Sequence, residues 1–201
     1  MIIAHLASSG SFGGPERQII GASLRLPSSC RSTFLLFRDR GRSAAFRDRL
    51  IEAGFDAEVL ARDTPHIRAM VREVASRLRD LGADVLCTQG YKADVVGLAA
   101  ARRAGIPAVA VSRGWTGETW KVKAYESLDR AVLRRFDRVV CVSEGQAAKV
   151  RAAGTPTDRV VVVRNGIDVA RFDAPDPDGR RLVEGFFPAL PRCIVGSVGR
   201  L

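Results

Sequence analysis

Ten residues, Ser112-Arg113-Gly114-Trp115-Thr116-Gly117-Glu118-Thr119-Trp120-Lys121, concentrate more usable chemistry than any other stretch of the sequence. They hold both tryptophans of the chain together with Arg113, Glu118 and Lys121. Aromatic faces can stack on a sugar ring, and a planar guanidinium and a carboxylate can orient its hydroxyls or meet a phosphate. Arg113, Trp115 and Glu118 are therefore candidate contacts of a sugar or phosphosugar. The tryptophans can equally anchor a long loop to the core. A second polar run, Thr88-Gln89-Gly90-Tyr91-Lys92-Ala93-Asp94, offers Gln89, Tyr91 and Lys92 either as the lining of a ligand pocket or as the solvent-facing start of a helix. A third, Ser8-Ser9-Gly10-Ser11-Phe12-Gly13-Gly14-Pro15-Glu16, is a glycine turn. The Gly13 and Gly14 amides precede Pro15 at a helix start, whose partial positive charge suits a phosphate or sugar oxygen. The order G-x-G-x-x-G is absent, which removes a dinucleotide fingerprint. A plain tight turn is the alternative, with Glu16 favouring the helix dipole.

The composition sets the scale of what must hold these residues. The 201 residues are 46% hydrophobic and 27% charged, ordinary for a globular protein of about one domain. No apolar run approaches the ~20 residues of a membrane span. Met1-Ile2-Ile3-Ala4-His5-Leu6-Ala7 has no basic lead and reads as a buried strand, so a cytoplasmic location is expected, with peripheral contact at an inner membrane face as its extension. The four cysteines, Cys30, Cys87, Cys141 and Cys193, are widely spaced, and Cys87 and Cys141 sit inside apolar runs. Reduced buried thiols are expected. With only His5 and His66, no metal centre and no cofactor are expected. The net charge is +10, carried almost wholly by arginine, since lysine occurs only at Lys92, Lys121, Lys123 and Lys149. Base composition alone can produce this, or the charge can draw the chain to an anionic membrane or a lipid-linked acceptor. Without a helix-turn-helix, zinc-finger or RNP pattern, no nucleic-acid partner is expected.

Apolar runs bounded by turn residues alternate with segments of helical period, which predicts a Rossmann-like, doubly wound α/β fold with a mainly parallel sheet of about seven strands. Strands are expected at 2–7, 32–37, 56–60, 83–88, 106–112, 137–142 and 159–163. Helices are expected at 15–26, 43–53, 66–81, 91–104, 121–135 and 144–153. Runs such as Val160-Val161-Val162-Val163 are apolar throughout, as in strands covered on both faces. Gly54, Gly82 and Gly105 follow helices as left-handed caps. Ser143 is an expected N-cap with Gln146 as its partner. In the helix 121–135, Val122, Tyr125, Leu128, Val132 and Phe136 mark an apolar face opposite Lys and Arg. It suits core packing with a solvated basic face, or peripheral membrane contact. Asp173-Ala174-Pro175-Asp176-Pro177-Asp178-Gly179 breaks the alternation. The domains are expected at 1–173, with a linker at 174–191 and a fresh strand at 192–201 that opens a truncated second domain.

Arg164-Asn165-Gly166-Ile167-Asp168 followed by Phe172, then Gly196-Ser197-Val198-Gly199-Arg200-Leu201, together with Gly13-Gly14, resemble the retaining GT-B glycosyltransferases of family 4. The resemblance covers nearly the whole chain and is weakest in the first 60 residues beyond the glycine turn. It implies the amino-terminal, acceptor-side domain, with the nucleotide-sugar domain all but missing. It further implies that Gly13, Gly14 and Arg200 face the donor diphosphate, that no metal is required, and that this stretch alone is inactive. In many relatives a histidine stands in the loop after the fifth strand; here Ser112-Arg113-Gly114 replaces it, leaving Arg113 as the substitute and candidate catalytic group. The resemblance makes Trp115, Glu118, Gln89, Tyr91 and Lys92 candidate acceptor contacts. The resemblance implies transfer of a sugar from a nucleotide-sugar to a glycan, a lipid-linked glycan or lipopolysaccharide. The competing reading is a stand-alone Rossmann-like module that binds a phosphosugar or nucleotide without catalysis. A sugar-nucleotide epimerase shares the two-domain build, but the N-G-I-D and G-x-V-G-R-L runs argue against it.

Overall fold

The chain forms seven strands: β1 (Ile2–Ala7), β2 (Arg31–Leu36), β3 (Asp56–Val59), β4 (Val85–Gln89), β5 (Ala108–Ser112), β6 (Arg138–Cys141) and β7 (Val160–Val162). In this computed structural model they make one sheet of order β3-β2-β1-β4-β5-β6-β7, and every pairing is parallel. The structure describes residues 1–115, 119–167, 169–174, 177–187, 189 and 192–196, without the side chains of 121, 171, 172 and 177.

Alternate residues of each strand feed two cores. On one face α1 (Gly14–Ser23) and α2 (Ala44–Glu52) pack Ile19, Phe46 and Leu50 with Ala7, Phe34 and Leu36. On the other, α3 (Ile67–Asp80), α4 (Tyr91–Ala104), α5 (Trp120–Leu133) and α6 (Glu144–Ala152) cover Leu6, Leu35, Phe37, Leu86, Ala110 and Val139. Covering both faces suits the apolar central strands, whereas β7, expected to be covered on both faces, lies at the sheet edge and leaves Val161 43% exposed. The helices end as expected, with Gly54, Gly82 and Gly105 at φ of +85°, +62° and +77°. Gly97 has a different task. A Cβ there would meet Thr88 Cγ2 at 2.4 Å and Leu6 and Leu86 at 3.2 Å, so its absence lets α4 lie close on β1 and β4.

Two local expectations are corrected. The Ser143 hydroxyl accepts from the Gln146 amide (3.2 Å), but the Gln146 side chain does not return to the cap. It donates instead to the Ser112 hydroxyl (2.8 Å), tying α6 to the end of β5. The second concerns α5. Val132 and Phe136 are buried, but Tyr125 and Leu128 are 61% and 49% exposed, while Glu126 and Asp129 are each only 2% exposed. Hydrogen bonds compensate the inward turn of the acids: Trp115 Nε1 donates to Asp129 (2.9 Å), and the Tyr91 hydroxyl donates to Glu126 (3.4 Å).

Contacts divide the chain into two compact units, Met1–Gly166 and Ile167–Leu201. In the second, a 3-10 turn at Val169–Phe172 precedes α7 (Pro177–Glu184), which carries an exposed Arg180–Glu184 ion pair of 2.8 Å. Residues 192–196, expected to begin a strand, lie in none, and 197–201 fall outside the described residues.

Candidate functional site

The carboxyl ends of β1, β4 and β5 lie side by side, because Ala7 pairs with Gln89 and Gln89 with Val111. The chain leaves β1 towards β2 and leaves β4 towards β5, in opposite directions. Between two such departures the loops part, and open α/β sheets bind ligands in that crevice. Here it is a cleft of about 240 Å³, with Ser8, Glu16, Gln89, Tyr91, Arg113 and Asp129 in its wall. Three loops far apart in sequence thus meet at one place.

Arg113 follows directly on β5. Its Nε is buried and finds no acceptor, and among the described residues the guanidinium forms no ion pair. Burial lowers its pKa, opposed by the neighbouring Cys87, Glu16 and Asp94, yet a guanidinium remains a cation at any physiological pH. Gln89 is 7% exposed; its Nε2 makes only a long contact with Cys87 Sγ (3.6 Å), and its Oε1 is unpartnered. Burial pushes the Cys87 thiol up to about 12, which leaves it protonated and unreactive.

Beneath these groups, two acids from different helices meet. Asp94 of α4 accepts a short hydrogen bond from the Thr88 hydroxyl, and its carboxyl lies against that of Asp129. Burial and the neighbouring Asp129 raise the Asp94 pKa well above the usual carboxylate range. Burial also raises Asp129, against the Trp115 indole that donates to it. Asp129 Oδ1 receives no fixed donor, so one proton held between the two acids satisfies both. Tyr91 is raised to about 12 by burial and by Glu126 and Asp129, and its hydroxyl donates to the Gly114 carbonyl (3.3 Å) as well as to Glu126.

The remaining sequence candidates fall in different places. Lys92 is spent on structure. Its Nζ bridges Asp39 (2.9 Å) and Asp63 (2.5 Å) over the Phe37 ring, joining the loops after β2 and β3. Trp115 packs against the core, with its indole on Asp129 and Arg130 stacked on its ring at 4.7 Å, so it anchors the β5–α5 loop. The Gly13 amide donates to Glu16 Oε2 (2.9 Å), while Glu16 Oε1 takes the Ser9 hydroxyl (3.1 Å). A phosphate at Gly13 has to share that amide with a carboxylate. The Gly14 backbone begins α1 beside it. Glu118 and Arg200 lie outside the described residues. Sequence reasoning passed over Asp94, Glu126 and Asp129. The available signal was an acid three residues after Tyr91, just ahead of the apolar run 95–101, and two acids one turn apart on α5. Among the described residues no group of three or more His, Cys, Asp or Glu is arranged to hold a metal ion.

The profile of a glycosyl transferase 4-like domain matches residues 33–166, two thirds of the chain. The chain belongs to the glycosyl transferase 4-like family. The matched stretch of this glycosyl transferase 4-like domain contains Gln89, Tyr91, Arg113 and both buried aspartates, whereas Gly13, Gly14 and Arg200 lie outside it. Among solved structures, Anabaena HepE in complex with UDP superposes with a TM-score of 0.75 at 22% identity, over 92% of this chain and 50% of that one. The lipopolysaccharide outer core galactosyltransferase WaaB in its apo form gives 0.62 at 15%, over 84% and 47%. UDP-GlcNAc 2-epimerase from Neisseria meningitidis, bound to UDP-GlcNAc, gives 0.61 at 14%, over 94% and 54%. The glycosyl transferase 4-like chain therefore spans about half the length of the proteins it resembles and shares with them the fold of a GT-B amino-terminal domain. No curated protein matches its sequence.

Proposed function

We propose that the chain supplies the acceptor-side half of a glycosyltransferase that moves a sugar from a nucleotide-sugar donor to a glycan, a lipid-linked glycan or lipopolysaccharide, with retention and without a metal. The observation that carries this reading is the pair of unpartnered polar atoms on residues that line the crevice, the Arg113 Nε donor and the Gln89 Oε1 acceptor. A sugar hydroxyl both donates and accepts, so a polyol meets such a mixed set more completely than a simple anion does. Arg113 is placed to orient the incoming sugar and to face charge developing on the leaving group, which is commonly the largest catalytic term. Gln89 and Tyr91 line the acceptor side. The family's donor-binding half is needed for turnover, and the chain alone is inactive.

The test is sugar transfer by the chain joined to a donor-binding half, with anomeric configuration read by NMR. Retention is expected, and Arg113→Ala lowers kcat about 100-fold. An inverted product, or undiminished turnover by the variant, contradicts the proposal.

A further inference from the structure

Glu16 holds the donors that an anionic ligand at the glycine turn would need. Its Oε2 accepts from the Gly13 amide (2.9 Å) and its Oε1 from the Ser9 hydroxyl (3.1 Å), at the amino end of α1. A phosphate at a helix start takes donors of the same kind, beside the positive end of the dipole. Glu16 also stands in the wall of the cleft with Arg113 and Gln89. Its charge favours the Arg113 cation, although the two form no ion pair among the described residues. Asp94 and Asp129, with one proton between them, add a further negative charge to that wall, more than Arg113 alone offsets. Gln89, 7% exposed, brings an unpartnered acceptor to the same wall. A hydroxyl can donate to that acceptor, whereas a fully ionised phosphate brings only acceptors.

We infer that Glu16 is a specificity-determining residue of this cleft: its carboxylate stands in for a ligand phosphate at the glycine turn. The cleft then takes a neutral polyol as it is, and admits a diphosphate only when Glu16 releases the Gly13 amide. Like charge in a confined site is repelled, and an amide already bonded to a carboxylate has no second proton to give. This role rests on the cleft being the sugar site proposed above. It is read from phosphate binding, which needs neither sugar transfer nor a donor-binding half, so the two fail separately.

Calorimetric titration of the full chain with inorganic pyrophosphate, in the parent and in Glu16→Gln, tests this role. Glutamine keeps an oxygen for the Gly13 amide and serves capping boxes as glutamate does, so the variant loses charge and not the helix start. Its affinity for pyrophosphate is expected to rise about tenfold over the parent's. Arg113→Ala added to Glu16→Gln returns the affinity to the parent's level. Asp80→Asn, which removes an equal charge from the carboxyl end of α3, leaves it unchanged. A second measurement needs no variant: in amide NMR spectra of the parent, saturating pyrophosphate shifts the Gly13 resonance as Glu16 gives way. The role is overturned if Glu16→Gln leaves pyrophosphate binding unchanged or weaker, or if Asp80→Asn matches its effect. A Gly13 resonance that stays in place at saturation overturns it equally.

Discussion

Arg113 is the residue on which structure and chemistry diverge most. A largely buried cation without an acceptor for Nε costs stability, and such groups persist where a ligand completes them. Arg113→Met is therefore expected to raise unfolding free energy by about 1 kcal/mol in urea while ligand binding falls. A loss of stability instead makes Arg113 a structural residue. The acid pair makes a prediction in pH. The folded chain holds the Asp94 proton above the pH at which the unfolded chain, with an ordinary carboxylate near 4, releases it. Its contribution is present below about pH 4 and is lost as pH rises through the raised value. Asp94→Asn keeps a donor for Asp129 and an acceptor for Thr88, so denaturation between pH 5 and about 9 is expected to show a flatter profile than the parent. An unchanged slope removes the shared proton from the account. His5 acts in the opposite sense. Buried against Phe34, with its pKa lowered to about 4, it binds fewer protons folded than unfolded. Stability falls by about 3 kcal/mol as pH drops from 6.5 towards 4. Arg113, Gln89 and Tyr91 were legible in the sequence because they lie at or just past strand ends. Asp94 and Asp129 were not, because only the meeting of α4 with α5 brings two acids together.

The elements were the most legible level. Every expected strand and helix of the first unit forms within a few residues, since period, glycine caps and apolar runs agree there. The face of α5 was misread for a physical reason. Helical period says which residues share a side, but only tertiary hydrogen bonds show that Glu126 and Asp129 win the inside over Tyr125 and Leu128. The position of α4 rests on Gly97, whose missing Cβ leaves room for the branched Thr88 that also holds Asp94. Gly97→Ala is expected to destabilise the chain by about 2 kcal/mol and to weaken binding in the cleft together with it. Thermal unfolding and ligand titration of one variant check both, and binding loss without destabilisation speaks against a packing origin.

At the scale of the whole molecule, a parallel sheet that reverses direction at β1 and β4 leaves one crevice where loops from three strands converge, and the family places a sugar-transfer domain on that architecture. The likeness to UDP-bound folds at 22% identity or below establishes the shared frame, while the site residues give this chain its own chemistry. The most direct measurement is saturation-transfer NMR of the chain with a panel of glycans and, separately, with UDP-sugars, repeated on Arg113→Ala and Gln89→Ala. The account predicts glycan signals that both substitutions remove, with UDP-sugars contributing little until the donor-binding half is present. Tight UDP-sugar binding by the chain alone, insensitive to Arg113 and Gln89, would contradict it and favour a nucleotide-binding module.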